Sequence, residues 1–175
     1  MEFKRYWAMP NKNTFSIKPI EKIVLGHIEN SEVSVDPFAK DFCKCDFNND
    51  IDPETNAEFH LDARVFLQEL INKDVEADLI LFDPPYSPRQ ISECYKRIGM
   101  DVSMSDTQNS KFIKECRDLI NQLADKNDCT VISFGWNSSG MLKAWNRKET
   151  ILVCHGGSHN DTIICIDNIS LLNCI

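Results

Sequence analysis

The chain predicts an α/β fold with a mainly parallel sheet and one antiparallel strand near the C-terminus, and three observations carry that prediction. Strand-like runs alternate with helical patterns, the signature of helices layered on a parallel sheet. Leu79 to Phe82 is apolar without a break, as in a strand buried on both faces. The last two strand-like runs are joined by a hairpin-length turn, His155 to Asp161, containing Gly156 and Gly157, which makes them antiparallel neighbours.

The strand-like runs are Val33 to Val35, Phe47 to Ile51, Glu58 to Leu61, Asp78 to Phe82, Thr130 to Phe134, Ile151 to His155 and Thr162 to Ile166. Helical spacing appears in Arg64 to Lys73, through Val65, Phe66, Leu67, Leu70 and Ile71, and in Ser110 to Lys126, through Phe112, Ile113, Cys116, Leu119, Ile120 and Leu123. The first half is compressed. Parallel strands need a crossover of about ten residues or more, yet Phe38 to Lys44 and Asp52 to Ala57 are each about one turn long; either the first two helices are vestigial or one of these strands is not formed. Ser103 to Ser110, polar and aperiodic, reads as a mobile loop.

With 175 residues, 42% of them hydrophobic, the chain suits a single domain, 1–175, with residues 1–30 as an N-terminal arm and no separate recognition domain. No apolar run approaches a membrane span and no signal-peptide core is present, so a cytoplasmic protein without membrane attachment is expected. The formal charge of -8 argues against strong non-specific attachment to phosphate backbones. A nucleic-acid substrate would need a local basic patch, for which Lys4, Arg5, Lys12, Lys18, Arg89, Lys96 and Arg97 are candidates, or a partner. Most of the eight cysteines sit in apolar runs and read as reduced core thiols. Cys43, Cys45, Cys154, His155 and His159 match no common zinc spacing, so no metal is expected.

Chemistry concentrates in Asp83-Pro84-Pro85-Tyr86, at the carboxyl end of the buried strand, where ligands bind in open α/β sheets. An amino group on an aromatic ring is a poor nucleophile because its lone pair is delocalised. A carboxylate from Asp83 and the Pro84 carbonyl, each accepting one N–H, can turn that lone pair toward an electrophile. Successive prolines stiffen the turn and leave carbonyls free to point into a site. Tyr86 supplies a flat face on which an extruded base can stack.

Leu79-Ile80-Leu81-Phe82-Asp83-Pro84-Pro85-Tyr86 resembles the catalytic motif of the amino-group DNA methyltransferases in its adenine-N6 form, although taken alone it leaves a guanine-N2 methylase of ribosomal RNA open. Three further elements resemble that family in order. Val35-Asp36-Pro37-Phe38-Ala39 resembles its first motif, whose acid contacts the cofactor's amino group. Asp50-Ile51-Asp52-Pro53-Glu54 places Asp50 at the ribose hydroxyls, while Asp52, before Pro53, reads as a cap. His60-Leu61-Asp62-Ala63 places Asp62 and Ala63 near the cofactor's adenine. The family usually continues its first motif with glycines; here Lys40, Asp41, Phe42 and Cys43 follow Ala39.

The N-terminal stretch from Trp7 to Ile20 is similar to that of compact phage and prophage adenine-methylase-like proteins, in which it would fold over the cofactor as a lid; a packed arm sealing the sheet edge is the equal alternative. Such a resemblance implies a Rossmann-like class I methyltransferase fold, S-adenosylmethionine as cofactor, and methylation of adenine N6 in DNA after base flipping. It assigns catalysis to Asp83, Pro84, Pro85 and Tyr86, and cofactor binding to Asp36, Pro37, Phe38, Asp50, Asp62, Ala63 and Asp83. Substrate contacts would come from Tyr86, Arg89, Trp136, Asn137, His159 and Asn160. Target choice would rest on the loop from Ser87 to Ser110, the late hairpin, or a second subunit, as a homodimer or with a partner. The alternatives are an amino-group methyltransferase acting on RNA, and a non-catalytic cofactor- or nucleic-acid-binding module with a degenerate glycine loop.

Overall fold

The computed structural model describes residues 1–99, 108–125, 128–142, 145–157 and 159–170. Its strands are β1 (Glu2–Trp7), β2 (Ser34–Asp36), β3 (Phe47–Asn48), β4 (Leu79–Phe82), β5 (Asp128–Gly135), β6 (Asn146–Cys154) and β7 (Thr162–Ser170). Its helices are α1 (Lys18–Ile28), α2 (Ala63–Asn72), α3 (Pro88–Arg97) and α4 (Asn109–Leu123), with a short 3-10 turn at Thr14–Ser16. The strands form one seven-stranded sheet in the order β1-β6-β7-β5-β4-β2-β3. Only β7 runs against its neighbours. This is the mainly parallel α/β arrangement expected from the alternation of runs and the Rossmann-like fold that the resemblance implies, with the reversed strand following the late hairpin.

Alternation along β4 divides the core between two faces. Ile80 and Phe82 pack with Phe66, Leu67 and Leu70 of α2, Ile91 of α3, and Phe112, Cys116 and Ile120 of α4. Leu79 and Leu81 pack on the other face with Phe15, Ile17, Ile20 and Val24 from the 3-10 turn and α1. Burial of β4 on both faces is why its sequence carries no polar position. Helix starts are chemically marked: Asp62 caps α2 by accepting from Arg64 N, and Ser87 caps α3 ahead of Pro88. Val65, expected on the apolar face of α2, is exposed.

The compressed first half is resolved in both of the expected ways. No helix forms in 37–46 or 50–57, and the run from Glu58 to Leu61 contributes only a single bridge, Phe59 to Asn49. Two buried asparagines replace the missing ladder. Asn49 Nδ2 donates to Pro37 O (3.1 Å) and Leu61 O (3.0 Å), while its Oδ1 accepts from Leu61 N (2.9 Å). Asn48 spans Cys45 O and Glu58 N in the same way. Such bonds satisfy backbone groups that a regular strand would otherwise pair.

Three elements have no counterpart in the sequence reading: β1, α1, and α3, which fills Pro88–Arg97 of the stretch read as a loop from Ser87 to Ser110 because Ser87 caps it and Pro88 opens it. Strand β1 extends the sheet parallel to β6, and α1 occupies a stretch read only as an arm. The loop expected at Ser103 to Ser110 lies largely outside the described residues; Asn109 and Ser110 open α4. Among the described residues no helix is long and apolar enough to cross a membrane, no group of His, Cys, Asp or Glu could hold a metal ion, and Cys45, Cys116, Cys154 and Cys165 are buried free thiols.

Gly140, on the wall of a small cavity beside Tyr86 and Trp136, shows how tightly the segment after β5 is fitted. Its φ is 52°, and an added Cβ would press on both the half-buried Arg147 guanidinium and the buried Asp167 carboxylate, which form an ion pair at 2.5 Å. Gly140→Ala should therefore cost at least about 2 kcal/mol, from the left-handed backbone and the displaced pair together. Urea titration against the wild type reads that loss.

Candidate active site

Chain order reverses between β2 and β4: β3 lies outward on one side, β5 on the other. In open α/β sheets the crevice outside the carboxyl strand ends at such a switch point is where ligands bind. Asp36 ends β2 and Asp83 follows β4, so two acids flank that point. A cavity of about 550 Å³ opens there, within the range typical of small-molecule sites.

Most residues nominated from sequence meet in this cavity. Asp83, Pro84, Pro85 and Tyr86 line it, with Pro37 and Phe38 from the loop after β2, Asp50 after β3 and Ala63 at the start of α2. Trp136, His159 and Asn160 line it from the β5 and hairpin side. Pro10, Asn11, Lys12 and Thr14 line it too, so the N-terminal segment runs from edge strand β1 across the strand tips.

Four nominated residues lie elsewhere. Asp36 is fully buried beneath the cavity; Oδ1 accepts from Phe38 N (3.0 Å), and Oδ2 has no partner among the described residues. Asp62 is saturated: Arg64 grips both its oxygens at 2.9 Å, and the Tyr95 hydroxyl donates to Oδ2. Arg89 is exposed and paired with Glu93 at 2.7 Å. Asn137 lines a second, smaller cavity behind Tyr86.

The electrostatics follow from burial. Asp83 is held in a closed setting where desolvation raises its carboxyl above the ordinary carboxylate value, against the pull of Lys40 and of bonds from Tyr86 and Thr14. Burial likewise raises Asp50, whose oxygens accept from Asp52 N (2.9 Å) and Lys40 N (3.2 Å). Asp52 closes a turn rather than capping a helix: its carboxyl is held low by Glu54 N and by Arg97, 3.0 Å away. Burial also raises Asp62 in part, but Arg64 and Tyr95 outweigh it and leave the carboxyl low.

Several site residues were not legible as such. Lys40 stands where glycines were expected and adopts a φ of 51°, the backbone region that glycine favours, while bringing a cation toward Asp36, Asp50 and Asp83. Gln90 Oε1 accepts from Tyr86 N (2.6 Å), bracing the turn after Asp83. His155 ties the N-terminal segment to the hairpin strand: Nδ1 lies 2.9 Å from Ala8 O and Nε2 lies 2.9 Å from Thr162 Oγ1. A carbonyl only accepts, so Nδ1 carries a proton and donates to Ala8 O. Tyr86 and Trp136 lie in contact with ring centroids 5.3 Å apart and planes tilted by 57°, with Trp136 46% exposed at the mouth.

The Tyr86 hydroxyl bonds Asp83 Oδ1 and lowers the Asp83 carboxyl. Its removal leaves burial less opposed. Any activity that requires ionised Asp83 should rise with pH through an inflection above that of a free aspartate, and Tyr86→Phe should move the inflection to higher pH. A profile of kcat/KM against pH for both proteins checks the sign.

Architecture and cavity together define a Rossmann-like α/β protein with an acidic, aromatic-rimmed site at the switch point. No family model and no curated protein matches the chain. Among solved structures it is similar to the one described as "Putative methyltransferase yhhF from Escherichia coli", with a TM-score of 0.54 and 11% identity over 93% of this chain and 90% of that one. That likeness shows the fold alone, a Rossmann-like α/β sheet.

Proposed function

We propose that the protein transfers a methyl group from S-adenosylmethionine to an exocyclic amino nitrogen of a nucleobase, adenine N6 in DNA. The observation that carries this reading is the Asp83-to-Tyr86 turn: a carboxylate and a proline carbonyl at a switch-point cavity, rimmed by Tyr86 and Trp136.

The cavity suits the cofactor. S-adenosylmethionine is rich in donors, with a ribose diol, an adenine amino group and an ammonium, and it would be held by acceptors at successive strand tips. Asp50 lines the cavity for the diol, and the unpartnered Asp36 Oδ2 marks an unused acceptor beneath it. When bound, the cofactor supplies an electrophilic methyl on a sulfonium. Asp83 and the Pro84 carbonyl accept the two N–H bonds of the target amine and orient its lone pair; Tyr86 stacks the flipped base, and Asp83 is placed to take up the amine's proton. The segment from Pro10 to Thr14 excludes water from this face.

One observation favours a second reading, methylation of guanine in RNA. Asn109 Oδ1, buried beside the Tyr86 turn, has no partner among the described residues. A guanine N1–H would satisfy that acceptor, whereas adenine has no ring N–H. Transfer of tritiated methyl to unmethylated DNA and to RNA, with digestion to nucleosides, separates the two. Labelled N6-methyladenine from DNA supports the first; label confined to RNA guanine selects the second; label in neither nucleic acid contradicts both.

A further inference from the structure

Behind the Asp83 turn lies a second cavity of about 120 Å³ that shares the walls Pro84, Tyr86 and Trp136 with the first. Three buried polar atoms without partners among the described residues belong to residues lining it: Asn109 Oδ1, Arg117 Nε and Ser133 Oγ. They come from two elements. Asn109 and Arg117 lie two turns apart on α4, and Ser133, only 6% exposed, sits near the tip of β5, in register with Phe82. Leaving one such atom unsatisfied costs about 1–3 kcal/mol, so three on one small cavity point to an occupant.

Their chemistry narrows what that occupant is. Asn109 is oriented by its own bond, Nδ2 donating to Tyr86 O at 2.7 Å, so an acceptor remains toward the cavity. The acid nearest in influence to Arg117, Asp167, is already gripped by Arg147. A guanidinium donor, a hydroxyl and an amide acceptor among apolar walls disfavour a simple anion, which the amide oxygen would repel, and favour a flat ring with polar atoms along one edge.

We propose that this second cavity receives the ring edge of the target base, with the Arg117 guanidinium and the Ser133 hydroxyl donating to its ring acceptors. The proposal rests on the nucleobase reading above and adds the residues that recognise the base once its amino group is held at Asp83. Arg117 and Ser133 act on binding of the nucleic acid and leave the cofactor untouched.

The experiment measures methyl transfer to unmethylated genomic DNA, with total cellular RNA in parallel, for the wild type, Arg117→Met, Arg117→Lys and Ser133→Ala. S-adenosylmethionine affinity is measured by calorimetry and folding by thermal melting. The expected result is a KM for the nucleic acid raised on the order of tenfold or more in Arg117→Met, partly rescued in Arg117→Lys and raised less in Ser133→Ala, with cofactor affinity unchanged. Should Arg117→Met fail to fold, Ser133→Ala and Arg117→Lys carry the comparison. Unchanged KM in folded variants, with an active wild type, overturns the base pocket alone and leaves ordered water as its filling. A wild type inactive on both nucleic acids overturns the nucleobase reading and this proposal together.

Discussion

Asp83→Ala is expected to lower kcat by about a thousandfold while leaving S-adenosylmethionine affinity within about tenfold of the wild type. The carboxylate is one of two acceptors that turn the amine lone pair toward the methyl, and it is the one a side-chain substitution removes; the Pro84 carbonyl remains. Because Asp83 also lines the cofactor cavity, some loss of affinity accompanies the loss of rate. Asp83→Asn should lose less than Asp83→Ala, since its amide oxygen can still accept one N–H of the amine while the group placed to take up the proton is gone. Single-turnover transfer, measured beside calorimetry, separates rate from binding.

The second large effect is structural. Asn49→Ala removes three hydrogen bonds that hold the loop after β2 to the segment before α2. It strands two carbonyls and an N–H in a buried setting, at a cost of roughly 3 kcal/mol. For a chain of this size that is a fall in melting temperature of about 6–12 °C. Pro37, Phe38 and Asp50, on either side of Asn49, line the cavity, so cofactor affinity should fall in the same variant. Asn49→Asp should be no better, because its carboxylate would face the carbonyls of Pro37 and Leu61. Thermal melting with and without the cofactor reads both losses.

How far the sequence reached follows from where its signals lie. Strand β4 and the turn after it were legible because burial on both faces permits no polar residue and two prolines end the strand abruptly. The reversed strand was legible from a glycine-bearing turn of hairpin length. Strand β1 was not: it is an edge strand whose residues are exposed or nearly so on both faces, Phe3 and Trp7 included, so no alternation marks it. Helix α1 did leave a trace, Ile20, Ile23 and Val24 at helical spacing, obscured by the aperiodic stretch before it. Asp62 illustrates the limit for single residues. Its position at the start of α2 and its contact with Arg64, two residues on, follow from local sequence, but Tyr95, which also bonds Oδ2, comes from α3 and is brought there only by the fold. Asn109, Arg117 and Ser133 form no motif, and only the fold brings them to one cavity.

The central claim is that this acidic, glycine-poor site holds S-adenosylmethionine. The most direct measurement is a calorimetric titration of the purified protein with S-adenosylmethionine, repeated with unmethylated DNA present. Saturable binding at one site per chain, weakened by Asp50→Ala, is the result the account predicts. No heat of binding by the folded wild type, with or without DNA, would contradict it and leave a binding module that keeps the fold without the chemistry.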